Sequence, residues 1–418
     1  FPYTTLFRSN IDSSVTNQIL GNNIGLSKDN DTYIGNGISG ILLANGANFN
    51  VVGSTVFGEE NIITANGDHG IRILNSSTNT IAGNMIGNDD IGGGSGVSNG
   101  TNNQLVGVLI DTAATANEIV DGNVISGNSN YGIGLNGPGC DLNKVDGNYI
   151  GVDASGNLGL SNANMNIYIA NGAAHNIIGG TDFNVIGGDV ATDHIKMFGT
   201  DTDSNIVRTN HINFALDGIT EFNAQNGIVI TNNAKGNIIG SGVNGEGNLI
   251  GGLTQDGIQI VGSNLTKVIG NQIGLDLGMN PSPIGGSGVM LKNADNSYIG
   301  TGIVGSDSAN VITNCHSGVA VTTLLFSSYA NKIIGNSIYG NVEQGIDIHG
   351  DDLILPNDTS NANLNNNGLI DHPLILDAWT CDDGNTHVGL ETYMSAANIS
   401  YTYTIELYSN VDIDPSLY

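Results

Sequence analysis

Residues 143–151 read NKVDGNYIG, and the same frame recurs at 17–25 (NQILGNNIG), 79–87 (NTIAGNMIG) and, with Thr in first place, 266–274 (TKVIGNQIG). Looser copies stand at 117–125 (NEIVDGNVI), 205–212 (NIVRTNHI) and 331–338 (NKIIGNSI). In four more places an insertion parts the two halves: 50–63 (NVVGSTVFGEENII), 176–188 (NIIGGTDFNVIGG), 237–251 (NIIGSGVNGEGNLIG) and 296–312 (NSYIGTGIVGSDSANVI). These eleven registers alternate without a break with a G-I-x-I element, such as GILL at 40, GIRI at 70, GIVI at 227 and GIDI at 345. From Asn143 onward compact and split versions alternate, a longer period of about two units.

Starts of the G-I-x-I element lie 25 to 37 residues apart, so each unit holds three short apolar pieces separated by Gly and Asn. Pieces of four residues with period two, rich in Ile and Val, are strands and not helices. One such unit cannot bury its own apolar face, whereas stacked units bury a continuous one. The expected fold is therefore all-β: a right-handed parallel β-helix of about eleven three-strand coils over residues 10–350. Coils rise by about 4.8 Å each, and the right-handed sense follows from the handedness of parallel crossovers. Ile at the second and fourth positions of G-I-x-I stacks inward, and Asn at one place in every coil can pass amide hydrogen bonds along a ladder. Gly-Asn turns supply residues that tolerate positive φ.

Composition agrees. Gly (62) and Asn (61) are the turn formers, and 31 of the 39 acids are Asp, the choice for turns over helix faces. Ten Lys and Arg against those 39 acids leave a net charge of −29, which repels phosphate backbones and anionic lipid. Nucleic acid is thus excluded as a partner, and no apolar run has the length of a membrane helix, so no membrane insertion is expected. Cys140, Cys315 and Cys381 are odd in number and far apart, without metal-ligand spacing.

The repeats resemble those of right-handed parallel β-helix proteins of bacteria, the pectin-lyase-like superfamily that includes pectate lyases, polygalacturonases, alginate epimerases and non-catalytic surface proteins. The resemblance covers about residues 10–350 and is specific for fold, unspecific for activity. It implies a secreted or cell-surface protein whose partner is an extracellular polysaccharide or cell-surface glycan. Residues 351–378 look like the exit segment of large secreted members, and THVGLE (386–391) with ISYTYTIELY (399–408) reads as part of an incomplete β-sandwich over 379–418. Residues 1–9 (FPYTTLFRS) continue no repeat and are read as a non-native leader. Trp379 is the single tryptophan and is read as core packing at the entry to that domain.

Chemistry is harder to read. GDHGIRI (67–73) carries Asp68, His69 and Arg72 but lacks the paired Asp motifs, G-H-G turn and R-I-K strand of polygalacturonases. Residues 190–223 depart from the repeat: His194 replaces the usual Gly, Lys196 takes an outward position, and Asp201, Asp203, Arg208, His211, Asp217 and Glu221 are added. A catalytic groove for an acidic sugar would draw on Lys196, Arg208, His211 and Asp217, and ligand contact on His194, Lys196, Asp201, Asp203 and Arg208, provided their faces agree. A decorated coil with surface ion pairs is the weightier reading. Asp347, Asp351, Asp352 and Asp358 cluster in the exit segment and could collect a hard cation. No organic cofactor is expected, and calcium is the candidate ion, although solvated turn acids in a very acidic protein are the weightier reading of the cluster.

Outward positions along the G-I-x-I strands repeat no single residue type, which disfavours a surface matched to a periodic lattice such as ice. Ile177, Ile206 and Ile238 are expected to form an apolar strip on consecutive coils, covered by an irregular loop at 189–204. The expected function is non-catalytic: adhesion or glycan binding by a secreted or surface rod. The alternative is a polysaccharide lyase, hydrolase or epimerase acting on acidic polysaccharide.

Overall fold

A computed structural model describes residues 9–27, 32–87, 104–190, 192–301, 309–322, 328–348, 374–380 and 386–391. Among them there is no helix, and three parallel sheets account for the repeat region. The first sheet has twelve strands, from Ser9–Asp12 and Ser39–Ala44 to Ile346–Asp347, and is built from the G-I-x-I elements. The second runs in eleven strands from Gln18–Ile19 to Lys332–Ile333, and the third in eleven from Asn23–Ile24 to Ser337–Tyr339. Successive strands of each sheet come from successive coils, which is a parallel β-helix.

Pairing follows the alignment of the repeats. The outer face of the first sheet carries Leu42, Arg72, Leu109, Gly134, Tyr168, Lys196 and Val229 in unbroken register. Inward, columns such as Ile73–Ile110–Leu135–Ile169–Met197–Ile230 and Ile150–Ile186–Ile212–Ile250 are fully buried. Each such side chain contributes about 1.5–3 kcal/mol relative to exposure, so the core is a sum over coils with no central nucleus.

Two asparagine ladders fix the corners. Between the second and third sheets, eleven residues from Asn22 to Asn336 form ten rungs, each Nδ2 donating to the next coil's Oδ1 at 2.7–3.1 Å. Between the first and second sheets, eight Asn from Asn17 to Asn237 do the same, and Thr266, Ser297 and Asn331 continue the column with hydroxyl acceptors in part. Asn148 is representative: its Oδ1 accepts from Asn123 Nδ2, and its Nδ2 donates to Asn184 Oδ1 and to the carbonyls of Ile119 and Asp146. Asn148→Ala should therefore destabilise the rod by about 2 kcal/mol, because buried partners lose their bonds. The exposed Asn164→Ala should stay within about 0.5 kcal/mol. Parallel urea melts compare the two, and equal midpoints would remove the ladder from the account of stability.

Length changes collect around the third sheet. Compact coils carry an excursion after the third strand, closed by bridges Leu26–Tyr33, Val152–Gly159, Phe214–Glu221 and Leu275–Pro281. Split coils place their extra residues before it. Excursions two coils apart touch: Leu216 N–H donates to Gly156 O and Leu277 N–H to Gly218 O, both at 2.8 Å. The two-unit period in the sequence is thus a second layer of loops flanking the outer face of the third sheet.

Other expectations meet the structure as follows. Residues 189–204 do not form a loop over Ile177, Ile206 and Ile238, since Asp193–Phe198 is a regular strand of the first sheet. The three isoleucines pair in register and remain half-buried. Cys140 and Cys315 are free buried thiols, pushed up to about 12 by burial, and Cys381 lies outside the described residues. Leu374–Thr380 and Thr386–Glu391 form an antiparallel hairpin with Trp379 opposite His387, whereas residues 399–408 are outside the described set.

Candidate functional site

Residues singled out between 190 and 223 run round the perimeter of one coil. His194 and Lys196 belong to the first sheet, Asp201 and Asp203 to the corner after it, Arg208 to the corner after the second sheet, His211 to the third sheet, and Asp217 to the excursion beyond. Lys196 therefore stands on a different side of the rod from Arg208 and His211, which adjoin across one corner, and each already has a neighbour. Lys196 Nζ lies 3.0 Å from Asp193 on its own strand. Arg208 pairs with Glu246, whose carboxylate also accepts from Ser241 Oγ at 2.9 Å. His211 stacks on Phe183 with ring centroids 4.2 Å apart.

His194 is placed inside the rod, fully buried, where no external ligand reaches its ring. A third polar column explains it. Asn36, Asn66, Gln104, Asn128, Asn162 and Asn166 hand amide hydrogen bonds along the corner between the third and first sheets. Asn166 Nδ2 then meets His194 Nδ1 at 2.9 Å, and His194 Nε2 meets Asn213 Oδ1 at 3.0 Å. Asn166 uses its Oδ1 to accept from Asn162 and its Nδ2 to reach Gly187 O, while Asn213 Nδ2 donates to Gly251 O and Gly252 O. Both amides are thus oriented, so Nδ1 must accept and Nε2 must carry the proton. Burial pushes the imidazole down to about 4, against weaker upward pulls from Asn213, Asp193 and Asp189. His194 is a neutral rung, the role the sequence could not separate from ligation.

Acids of the set have local partners as well. Asp203 accepts from Lys235 N–H at 2.7 Å across the corner, and Asp201 is an exposed turn residue at φ +63°. Asp217 caps its own turn, accepting from the N–H groups of Ile219 and Thr220 and from Thr220 Oγ1, each at 2.8 Å. Burial alone would raise its pKa, yet these bonds and nearby His211 hold it below the usual carboxylate range. Asp347 is buried on the last described strand of the first sheet, whereas Asp351, Asp352 and Asp358 lie outside the described residues. Among the described residues no three His, Cys, Asp or Glu side chains are placed to hold a metal ion.

His69 and Arg72 do share the outer face of the first sheet, but Arg72 pairs with Asp111 of the next coil at 2.5 Å. Further along the same face Tyr131 stacks on Tyr168 at 4.8 Å, with Phe198 tilted 6.5 Å beyond. Stacking turns the two tyrosine rings toward each other along the rod.

A concave feature that sequence reasoning missed lies on the third sheet. His211, Leu249, Gln272 and Val311 pair in series and form the floor of an open groove of about 430 Å³. One rim is Phe183 with Asn244, Gly245 and Gly247 of the split-coil loops, and the other includes Leu277 of an excursion. Burial pushes the His211 imidazole below its ordinary value, outweighing the upward pulls of the Ala215 backbone and Asp217. Two-coil alternation of insertions was the one signal in the sequence that pointed here. No protein-family model matches the chain, and no curated protein does either.

Proposed function

We propose that the chain is a non-catalytic extracellular rod that contacts glycan, serving adhesion or polysaccharide binding. The observation that carries this reading is the separation of Lys196, on the first sheet, from Arg208 and His211 at the third, with the three engaged by Asp193, Glu246 and Phe183 respectively. Elimination or epimerisation at a uronate needs a base beside a group that neutralises the carboxylate, both on one face. Lys196 and Arg208 supply surface ion pairs, each worth about 0–1 kcal/mol, and His211 a ring stack. A surface location goes with the repeat resemblance and with the acidic excess, which suits an exterior rich in cations.

Incubation with polygalacturonate and alginate in the presence of calcium, followed by product analysis, tests the reading. No new reducing ends, unsaturated products or epimers are expected, while soluble or insoluble glycans retain the protein. Product formation that disappears in Lys196→Ala would overturn it in favour of a lyase, hydrolase or epimerase.

A further inference from the structure

We infer that the groove on the outer face of the third sheet is the glycan-contact site and that it takes a neutral saccharide chain, not a uronate; this rests on the glycan-contact reading above. None of the fifteen residues lining the groove is Asp, Glu, Lys or Arg, although acids and bases together number 49 in the chain. Among the described residues, charges beside it offer no free cation: Arg208 pairs with Glu246, whose carboxylate Ser241 also holds, and the other charge near His211 is the anionic Asp217. His211, kept neutral by burial, adds no positive charge at physiological pH. An anionic sugar would meet no fixed counter-charge there and would approach against a net charge of −29. A neutral sugar meets neither obstacle.

Lining chemistry also suits a polyol. Phe183, Leu249, Leu277 and Val311 offer apolar surface, while Thr209, Asn244 and Gln272 offer hydroxyl and amide groups. Sugar rings present C–H faces and hydroxyl edges, and sites for such ligands pair apolar or aromatic walls with a few polar groups. The floor draws on four successive coils, so it runs parallel to the rod for about 14 Å at 4.8 Å per coil, room for a few linked residues. Leu277 stands 58% exposed on one rim, an apolar edge that a bound chain would cover.

Affinity electrophoresis and calorimetry of the full chain against a neutral galactomannan, a neutral mixed-linkage glucan, polygalacturonate and alginate test the inference. At least one neutral polymer should bind, with a dissociation constant that changes less than about twofold with added salt because no ion pair forms. Phe183→Ala and Leu277→Asp should each weaken that binding at least about tenfold, or 1.4 kcal/mol. Tyr168→Ala, on the first sheet, should leave it unchanged. Melting curves verify that the variants fold, Phe183 and Leu277 being exposed by 37% and 58%. Neutral-glycan binding that survives both groove variants would overturn the inference and leave glycan contact standing elsewhere on the rod. Stronger binding of uronates than of neutral polymers would overturn the neutrality, again without touching the broader reading. Retention by no glycan at all would remove both.

Discussion

Between pH 7 and pH 4 the chain should lose about 3 kcal/mol more stability than a His194→Gln variant. In the folded rod burial holds His194 near 4, from an ordinary value of 6.5. Within that window the unfolded chain binds a proton that the folded chain refuses, so stability rises with pH. The contribution is complete above 6.5 and is lost as pH falls toward 4; two and a half pH units at 1.36 kcal/mol each give the stated magnitude. Protonation has a structural meaning as well. A proton on Nδ1 would face the Asn166 amide donor, which Gly187 O and Asn162 hold in place, so the rung would turn from attraction to repulsion. Gln is the replacement of choice because Gln104 already bridges Asn66 and Asn128 in the same column. His69 and His211, also lowered by burial, remain in both proteins and cancel in the comparison. Since repeat rods open in segments, urea melts should be accompanied by amide exchange read in residues 193–213. Parallel pH profiles for the two proteins would show that His194 does not titrate against the fold.

How far the fold could be read beforehand depended on which contacts repeat. Leu42, Arg72, Tyr168 and Lys196 fall on one outward column because the G-I-x-I frame is a period-two strand, and one-residue slips would expose every Ile. Asparagine ladders were foreseeable for the same reason. Their price was not, because it falls on residues without a signature: Phe49, Leu142 and Leu265, each just before a ladder position, adopt φ of +58°, +58° and +63°. Left-handed backbone at such bulky side chains persists where the surrounding hydrogen bonds over-determine it. The same residues in another setting would read as ordinary loop.

The site was less legible, because side chains close in sequence were sent to different sheets. Lys196, Arg208 and His211 lie within sixteen residues of one another, and a coil spends those residues travelling round its perimeter. Conversely, Phe183, His211, Leu249 and Leu277 meet although nearly a hundred residues separate the first from the last. In a helix of strands, neighbours are a coil apart, so chemistry has to be sought at intervals of about thirty residues and not in local clusters. His194 shows the limit of that rule, since a Gly-to-His change in register marks an altered rung as readily as a ligand.

Gly179→Ala should cost more than about 3 kcal/mol, whereas Gly46→Ala should cost only about 1–2 kcal/mol. Both glycines sit in the left-handed region, with φ of +98° and +87°, so both substitutions carry the penalty of placing a Cβ there. The difference is space. A Cβ on Gly46 meets nothing within 4 Å, but one on Gly179 would lie 1.6 Å from the Arg208 carbonyl oxygen of the following coil. That atom is backbone and cannot rotate away. Relief requires the two coils to separate at the turn, where Gly179 N–H donates to Val145 O, Arg208 N–H to Ile178 O, and Asn210 Nδ2 to the Ile178 and Arg208 carbonyls. Damage in a stacked array is confined to an interface between neighbours, so the variant should unfold first near residues 176–212 while distant coils keep their protection. Hydrogen exchange across the rod distinguishes this from a uniform loss. Equal melting midpoints for the two variants would mean that coil spacing is looser than the register of the three sheets requires.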